Sequence, residues 1–205
     1  PNDLKSYIGF GLYQVGERSI NYLSQRLDQF IIGLLYGPRV LGFYNLAFNL
    51  AVQPLVKINP VLTRVAFPLF SRMQHDLGKL SASYMVVRNV LATINTPLLL
   101  GLGAVTPNLI PSVLGFHWIP SINLIQLLAV VGLIRSLSNP LDSLLLAKGR
   151  PDLAFRWSFF RALLQVAGIL LGAHLGEAIG IATALLLLQI IYFPLEYSLL
   201  VRRIL

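Results

Sequence analysis

The sequence predicts an all-α fold, a polytopic membrane bundle of about six transmembrane helices, and three observations carry that prediction. First, the 205 residues are 56% hydrophobic and 12% charged, with a mean hydropathy of +0.71. Soluble domains carry about 25% charged residues, so lipid is the solvent this composition fits. Second, about six segments reach the roughly 20 apolar residues that a membrane-spanning helix needs. Third, the basic residues gather at alternate ends of those segments. The net charge of +8 therefore fits a membrane topology rather than nucleic acid, which would want one basic face on a soluble domain.

The spans run over about 8–36, 41–70, 84–105, 119–147, 153–173 and 177–201. The first stops at Gly37-Pro38, a pair that ends helices. The second carries Pro54, Pro60 and Pro68, tolerated in membrane helices where neighbours satisfy the freed carbonyls. A polar segment, SRMQHDLGKLSASY, separates it from the third, and TPNLIPSVLGFHWIPS separates the third from the fourth. The fourth ends in KGRPD, and the sixth ends in Arg202 and Arg203. No internal repeat, low-complexity tract or aqueous domain breaks the series, so 1–205 reads as one transmembrane bundle.

The loops then test the alternation. Lys5, Arg72, Lys79, Lys148, Arg150, Arg202 and Arg203 fall on one side, while Arg39, His117, His174 and Glu177 fall on the other. The positive-inside rule makes the first side cytoplasmic, with both ends of the chain there. Trp118 and His117 sit at an expected outer boundary, and Tyr7 and Trp157 near inner ones, where interface anchors belong. The chain opens on PNDLKSY, with neither an initiator Met nor a signal peptide, and reads as part of a longer protein.

Charge inside the first span is the most informative local feature. Residues 17–28 read ERSINYLSQRLD. Each charged side chain at a bilayer centre costs roughly 2.5–3.5 kcal/mol on insertion scales. Glu17, Arg18, Arg26 and Asp28 facing lipid would together cost about 10 kcal/mol, comparable to a whole domain's stability. They therefore face protein or a water-filled cavity. At about 100° per residue, Glu17, Asn21, Ser24 and Asp28 fall within an arc of roughly 60°. Gln14, Arg18 and Gln25 extend that face, and Arg26 points nearly opposite, needing a partner of its own. One reading is a polar cavity wall, with acids that exchange protons or cations and arginines that meet an anion. The other is structural pairing, with Glu17 and Arg18 snorkelling to the near interface.

Three further helices carry weaker stripes. Asn45, Asn49, Gln53 and Lys57 recur every four residues in the second span, either as a cavity face or as interhelical hydrogen-bonding groups. Of these, Lys57 is expected to reach a cavity rather than lipid. Arg135, Asn139 and Asp142 share a face of the fourth span at i, i+4 and i+7, as cavity lining or as a structural network. Arg88 and Asn95 share a face of the third. Arg156 sits at the interface end of the fifth and Arg161 deeper, while Gln189 and Glu196 form a rough face on the last.

Cysteine is absent, which excludes disulfides, thiolate chemistry and Cys-based metal sites. The soluble-enzyme motifs, a Walker loop, GxSxG and HExxH, are missing too. The three histidines, His75, His117 and His174, fall in loops or at span ends, so no catalytic residue, metal site or cofactor is expected.

Three strings carry a family resemblance: RLDQFIIGLLYGPRVLGFYNLAFNL (26–50), PVLTRVAFPLFSRMQHD (60–76) and LGFHWIPSINLIQLLAVVGLIRSLSNPLDSLLLAKGRPDL (114–153). They resemble the second half of bacterial polysaccharide and O-antigen flippases, of the colanic acid and lipopolysaccharide exporter branch. These belong to the multidrug/oligosaccharidyl-lipid/polysaccharide exporter superfamily. The resemblance implies two helical bundles facing each other across a cavity, with this chain as the C-terminal one and a missing N-terminal bundle as its partner. It implies movement of a polyprenyl-pyrophosphate-linked oligosaccharide across the bacterial inner membrane by alternating access. Arg26 and Asp28 of the RLD string are family-typical positions. Arg18, Lys57 and Arg135 as anion contacts follow from the helix faces. A cation-coupled drug exporter of the same superfamily is the alternative, and it would want a net acidic cavity. A membrane glycosyltransferase would need an acidic or metal site at the membrane face, where only the isolated Asp76 and Asp152 stand.

Overall fold

The computed structural model describes residues 2–202, with side-chain surroundings from Gly11 onward except at Gln25. Arg203, and the side chains of Lys5, Tyr7 and Gln25, lie outside the described residues. Helix is the only regular structure among the described residues: α1 (Asn2–Ala51), α2 (Gln53–Arg72), α3 (Leu77–Leu109), α4 (Ser121–Ser138), α5 (Pro140–Ala147) and α6 (Pro151–Glu196). Short π-helical turns follow α3 and α6, at Ile110–Leu114 and Tyr197–Val201.

The six separate membrane helices expected from the sequence are not seen. Four helical runs are long and apolar enough to cross a membrane: Gly11–Arg72, Leu77–Leu114, Ser121–Ala147 and Pro151–Val201. The difference has a physical cause, because two of the expected loops are single breaks in otherwise continuous helix. Gly37 breaks α1 at φ 78 and ψ −178. Glycine takes that positive φ without steric cost, and Pro38 after it lacks the N–H that would continue the ladder. Glu177 breaks α6 at φ 52.

Both broken runs fold back on themselves. The 62 residues of the first would extend about 93 Å if straight, against a hydrocarbon core of about 30 Å. Instead the Tyr44 hydroxyl donates to Asp28 Oδ2 at 2.5 Å, across 16 residues that a straight helix would hold about 24 Å apart. In α6, a Cβ placed on Gly172 would stand 2.5 Å from the Gly180 carbonyl oxygen. The two arms of α6 therefore meet backbone to backbone, an approach that only paired small residues permit.

Proline decides the smaller interruptions. Pro54 stands at the start of α2 and cannot donate to the turn behind it. The ladder nevertheless passes through Val52, which donates to Phe48 O at 2.8 Å and accepts from Val56 at 3.2 Å. Pro140 divides α4 from α5 in the same way, and Asn139 instead makes the tighter bond to Ser136 O at 3.3 Å.

Contacts show which turns share a rim. The Tyr36 hydroxyl donates to Ala173 O at 2.5 Å, joining the Gly37 and Gly176 turns. Phe43 packs on His117 and Trp118 with ring centroids 5.7 and 5.8 Å apart, adding the α3–α4 connection. At the opposite rim, Lys148 Nζ donates to Gln74 O at 2.7 Å. There Asp76 caps α3 by accepting from the Lys79 N–H at 3.1 Å. That bond and the Lys79 ammonium hold the Asp76 carboxyl below its ordinary value.

The interior holds two apolar clusters. One gathers Ile32, Tyr44, Ala47, Ile125, Leu128 and Ile169; the other gathers Phe70, Tyr84, Leu141, Leu144, Trp157 and Tyr192. The outer surface is also apolar, with Leu12, Leu34, Phe116 and Leu175 each at least 68% exposed. Apolar both inside and outside, this surface belongs in lipid, and the chain is a membrane protein.

Candidate functional site

The polar residues collect at the level between the two apolar clusters. A cavity of about 240 Å³ opens there, bordered by Asn21, Asn59, Arg135, Asn139, Asp142 and Arg161. A smaller one of about 70 Å³ shares Asn21, Arg135 and Arg161, and adds Ser24, Asp28 and Gln165. Phe48, Val52 and Gly132 line both. A Cβ on Gly132 would stand 2.8 Å from Leu55 Cδ1, so glycine there lets α4 pack closely against α2.

Each wall comes from a different helix. The first arm of α1 supplies Asn21, Ser24 and Asp28 from the arc expected of it. Glu17, on the same arc, is buried and accepts a hydrogen bond from Asn21 Nδ2. Asp28 is buried and accepts from Tyr44 and, at 2.8 Å, from the Gln29 N–H. Gln165 Nε2 reaches across from α6 to Ser24 O at 2.8 Å. In α2, Asn59 accepts from Asn95 Nδ2 of α3 at 2.9 Å, with both residues buried.

The cations differ in how firmly they are held. Arg161 Nη1 donates to Glu196 Oε1 at 3.1 Å, and the same oxygen accepts from Trp157 Nε1 at 2.9 Å. A second nitrogen, Nη2, lies 3.4 Å from Ser158 Oγ. Arg135 has no hydrogen bond or ion pair among the described residues, and it opens into both cavities. The Ser138 hydroxyl on the wall of the larger cavity is buried. Two guanidinium groups thus share one space with the hydroxyls of Ser136 and Ser138, the amides of Asn21, Asn59 and Asn139 and the Asp142 carboxylate, a lining that suits an oxygen-rich anionic or sugar-bearing ligand. Among the described residues no three His, Asp or Glu side chains converge as a metal site would require.

Of the residues singled out from sequence, Asn21, Asp28, Arg135, Asn139 and Asp142 line these cavities, and Glu17 lies buried behind Asn21. The others do not. Lys57, expected to reach a cavity, is exposed and lines neither of the two. A step of four residues drifts by about 40°, so the stripe through Asn45, Asn49 and Gln53 rotates away, and Asn59 takes the inward position. Asn49 and Arg18 are exposed, and Asn45 is half-buried outside both linings. Arg26 finds its partner in Gln29 Oε1 at 3.0 Å and stands 5.9 Å from the centre of the Phe48 ring on the second arm. Arg88 lies 4.9 Å from the centre of the Phe193 ring.

Sequence reasoning missed Arg161 as a site residue, and with it Asn59 and Ser138. The signal for Arg161 was present as a lone cation deep in an apolar span. Its partner, Glu196, is 35 residues away on the returning arm, a separation that helical periodicity does not connect.

The profile of a family described as polysaccharide biosynthesis protein matches residues 2–123. Lipopolysaccharide biosynthesis protein WzxC of Escherichia coli is 41% identical over 96% of this chain and 40% of its own length. Teichuronic acid biosynthesis protein TuaB of Bacillus subtilis is 35% identical over 93% of this chain and 39% of its own. Succinoglycan biosynthesis transport protein ExoT of Rhizobium meliloti is 24% identical over 85% of this chain and 35% of its own. The chain thus spans about two fifths of the length of these curated relatives. No solved structure matches it. With more than half of its residues inside the family profile, the chain belongs to the polysaccharide biosynthesis protein family.

Proposed function

We propose that this chain is the C-terminal lobe of a transporter that moves a polyprenyl-pyrophosphate-linked oligosaccharide across the inner membrane by alternating access, and that it is not an enzyme. The observation that carries the reading is Arg135, a cation without a protein partner among the described residues, opening onto a polar space inside an apolar bundle. A pyrophosphate crossing a low-dielectric interior needs such partners, because a bare anion there is strongly desolvated. Several moderate contacts along a path let the ligand leave as well as enter. Arg18 and Lys57, exposed on this lobe, are assigned to the space shared with an N-terminal lobe. Glu17 and Asp28 are assigned to ion coupling. The names of the relatives support the polysaccharide reading, and that of ExoT supports transport. In topology, the four helical runs are read as six passes, with the rim of Gln74 and Lys148 cytoplasmic.

The test is complementation of a flippase-deficient strain with the full-length protein, measuring surface polysaccharide and membrane protein level together. Arg135→Ala is expected to lower export several-fold at normal protein level, and Arg135→Lys to retain part of it, since lysine keeps the charge but loses the fork. Arg18→Ala and Lys57→Ala are expected to lower export less. Normal export by all three alanine variants at normal protein level would refute the cationic-path mechanism.

A further inference from the structure

A second feature lies away from the cavities, where the start of α6 meets its end. Leu153, Trp157 and Phe160 form one wall of an open groove of about 680 Å³, and Leu199 and Leu200 of the final π-helical turn form the other. Its size falls within the roughly 300–1,000 Å³ of small-molecule sites. The walls are apolar, and two guanidinium groups, Arg150 and Arg156, sit along them.

The two cations are not equivalent. Arg150 is occupied, with Nε 3.1 Å from Asp152 Oδ1 and Nη2 3.3 Å from Oδ2. Arg156 is exposed and has no hydrogen bond or ion pair among the described residues. It stands five residues beyond Pro151, about 7.5 Å along the helix. That is close to the thickness of one headgroup layer, the difference between a hydrocarbon core of about 30 Å and a full bilayer of about 40–45 Å shared between two faces. An unpaired guanidinium at headgroup depth above an apolar furrow matches one kind of molecule: an anionic head on an apolar chain.

We infer that this groove is a binding site for an anionic phospholipid of the surrounding membrane, with its phosphate on Arg156 and an acyl chain along Trp157, Phe160 and Leu199. The inference needs the membrane but not the transport reading, because it concerns the outer surface of the bundle. The Asp152 carboxylate beside Arg150 opposes a second phosphate contact there, so Arg156 carries the selectivity. Basic side chains near an anionic lipid surface contribute about 1 kcal/mol each, which corresponds to about a five-fold preference.

The experiment places a benzophenone amino acid at Leu199 of the full-length protein, in neutral micelles doped with phosphatidylglycerol or phosphatidylcholine at equal mole fraction. The expected result is about five-fold more crosslinking to phosphatidylglycerol. In Arg156→Ala the ratio falls to about one, while Arg156→Lys keeps part of the preference because lysine retains the charge. Equal crosslinking of the two lipids in the parent protein, or an unchanged ratio in Arg156→Ala, overturns the site. Crosslinking to another segment of the protein overturns it too, since the groove would then be a protein interface. Displacement of phosphatidylglycerol by an equimolar polyprenyl phosphate assigns the groove to a substrate lipid and likewise overturns the inference.

Discussion

Arg161 on the outgoing arm of α6 donates to Glu196 on the returning arm at 3.1 Å, and the side chains are 21% and 4% exposed. This pair clamps the two arms together at the level of the cavities and turns the guanidinium toward them. Trp157 shares the carboxylate, donating to the same oxygen at 2.9 Å. Removing one member of a buried pair leaves the other charged and unsatisfied, which costs roughly 3–5 kcal/mol in soluble proteins.

Glu196→Ala is therefore expected to lower the thermal midpoint of the detergent-solubilised protein substantially. Glu196→Gln should cost less, because the amide oxygen still accepts from Trp157 and Arg161. The Arg161→Ala, Glu196→Ala double variant should be less destabilised than the sum of the single ones. Additive single and double effects would show that the two side chains do not interact.

The Asp28–Tyr44 bond gives a cleaner deletion. Tyr44→Phe removes the hydroxyl and keeps the ring in its fully buried place. Asp28 would keep only the Gln29 N–H, so the loss should be about 1.5–3 kcal/mol, the range for hydrogen bonds to charged groups. Asp28→Asn should soften the effect of Tyr44→Phe, because a neutral amide is less costly to leave unsatisfied. Midpoints of the four proteins check this, and an unchanged midpoint in Tyr44→Phe would show the bond to be dispensable.

Gly172 and Gly180 hold the arms of α6 in backbone contact. Either Gly→Ala change pushes a methyl into main chain that cannot step aside, with an overpacking cost of about 1–3 kcal/mol. Gly101→Ala is the control, since nothing lies within 4 Å of a Cβ there, and it should be neutral or slightly stabilising through helix propensity. Similar midpoints for Gly172→Ala and Gly101→Ala would mean that the arms stand further apart than described.

The proposed sidedness can be read with single cysteines, because these 205 residues contain none. A cysteine at His75 should resist an impermeant thiol reagent added to intact spheroplasts, and one at His117 should react. Both positions are exposed, so burial does not confound the comparison. Labelling at His75 under these conditions would invert the topology.

The membrane character, the all-α class and the inward arc of Asn21, Ser24 and Asp28 follow from composition and helical periodicity. So does the shared face of Arg135, Asn139 and Asp142, because Asn139 keeps helical φ and ψ and carries the face of α4 across the Pro140 interruption into α5. The turn at Gly37 was marked by the Gly-Pro pair, although its sharpness, a single break inside a helix, was not. What tertiary structure alone decided are the relationships across the folds: Tyr44 on Asp28, Glu196 on Arg161, Asn95 on Asn59, and the inward turn of Asn59 in place of Lys57. Each depends on how far one arm slides and rotates against another. Packing of small residues such as Gly132, Gly172 and Gly180 sets that register, and the hydropathy pattern of a helix surrounded by apolar surfaces on every side carries no mark of it.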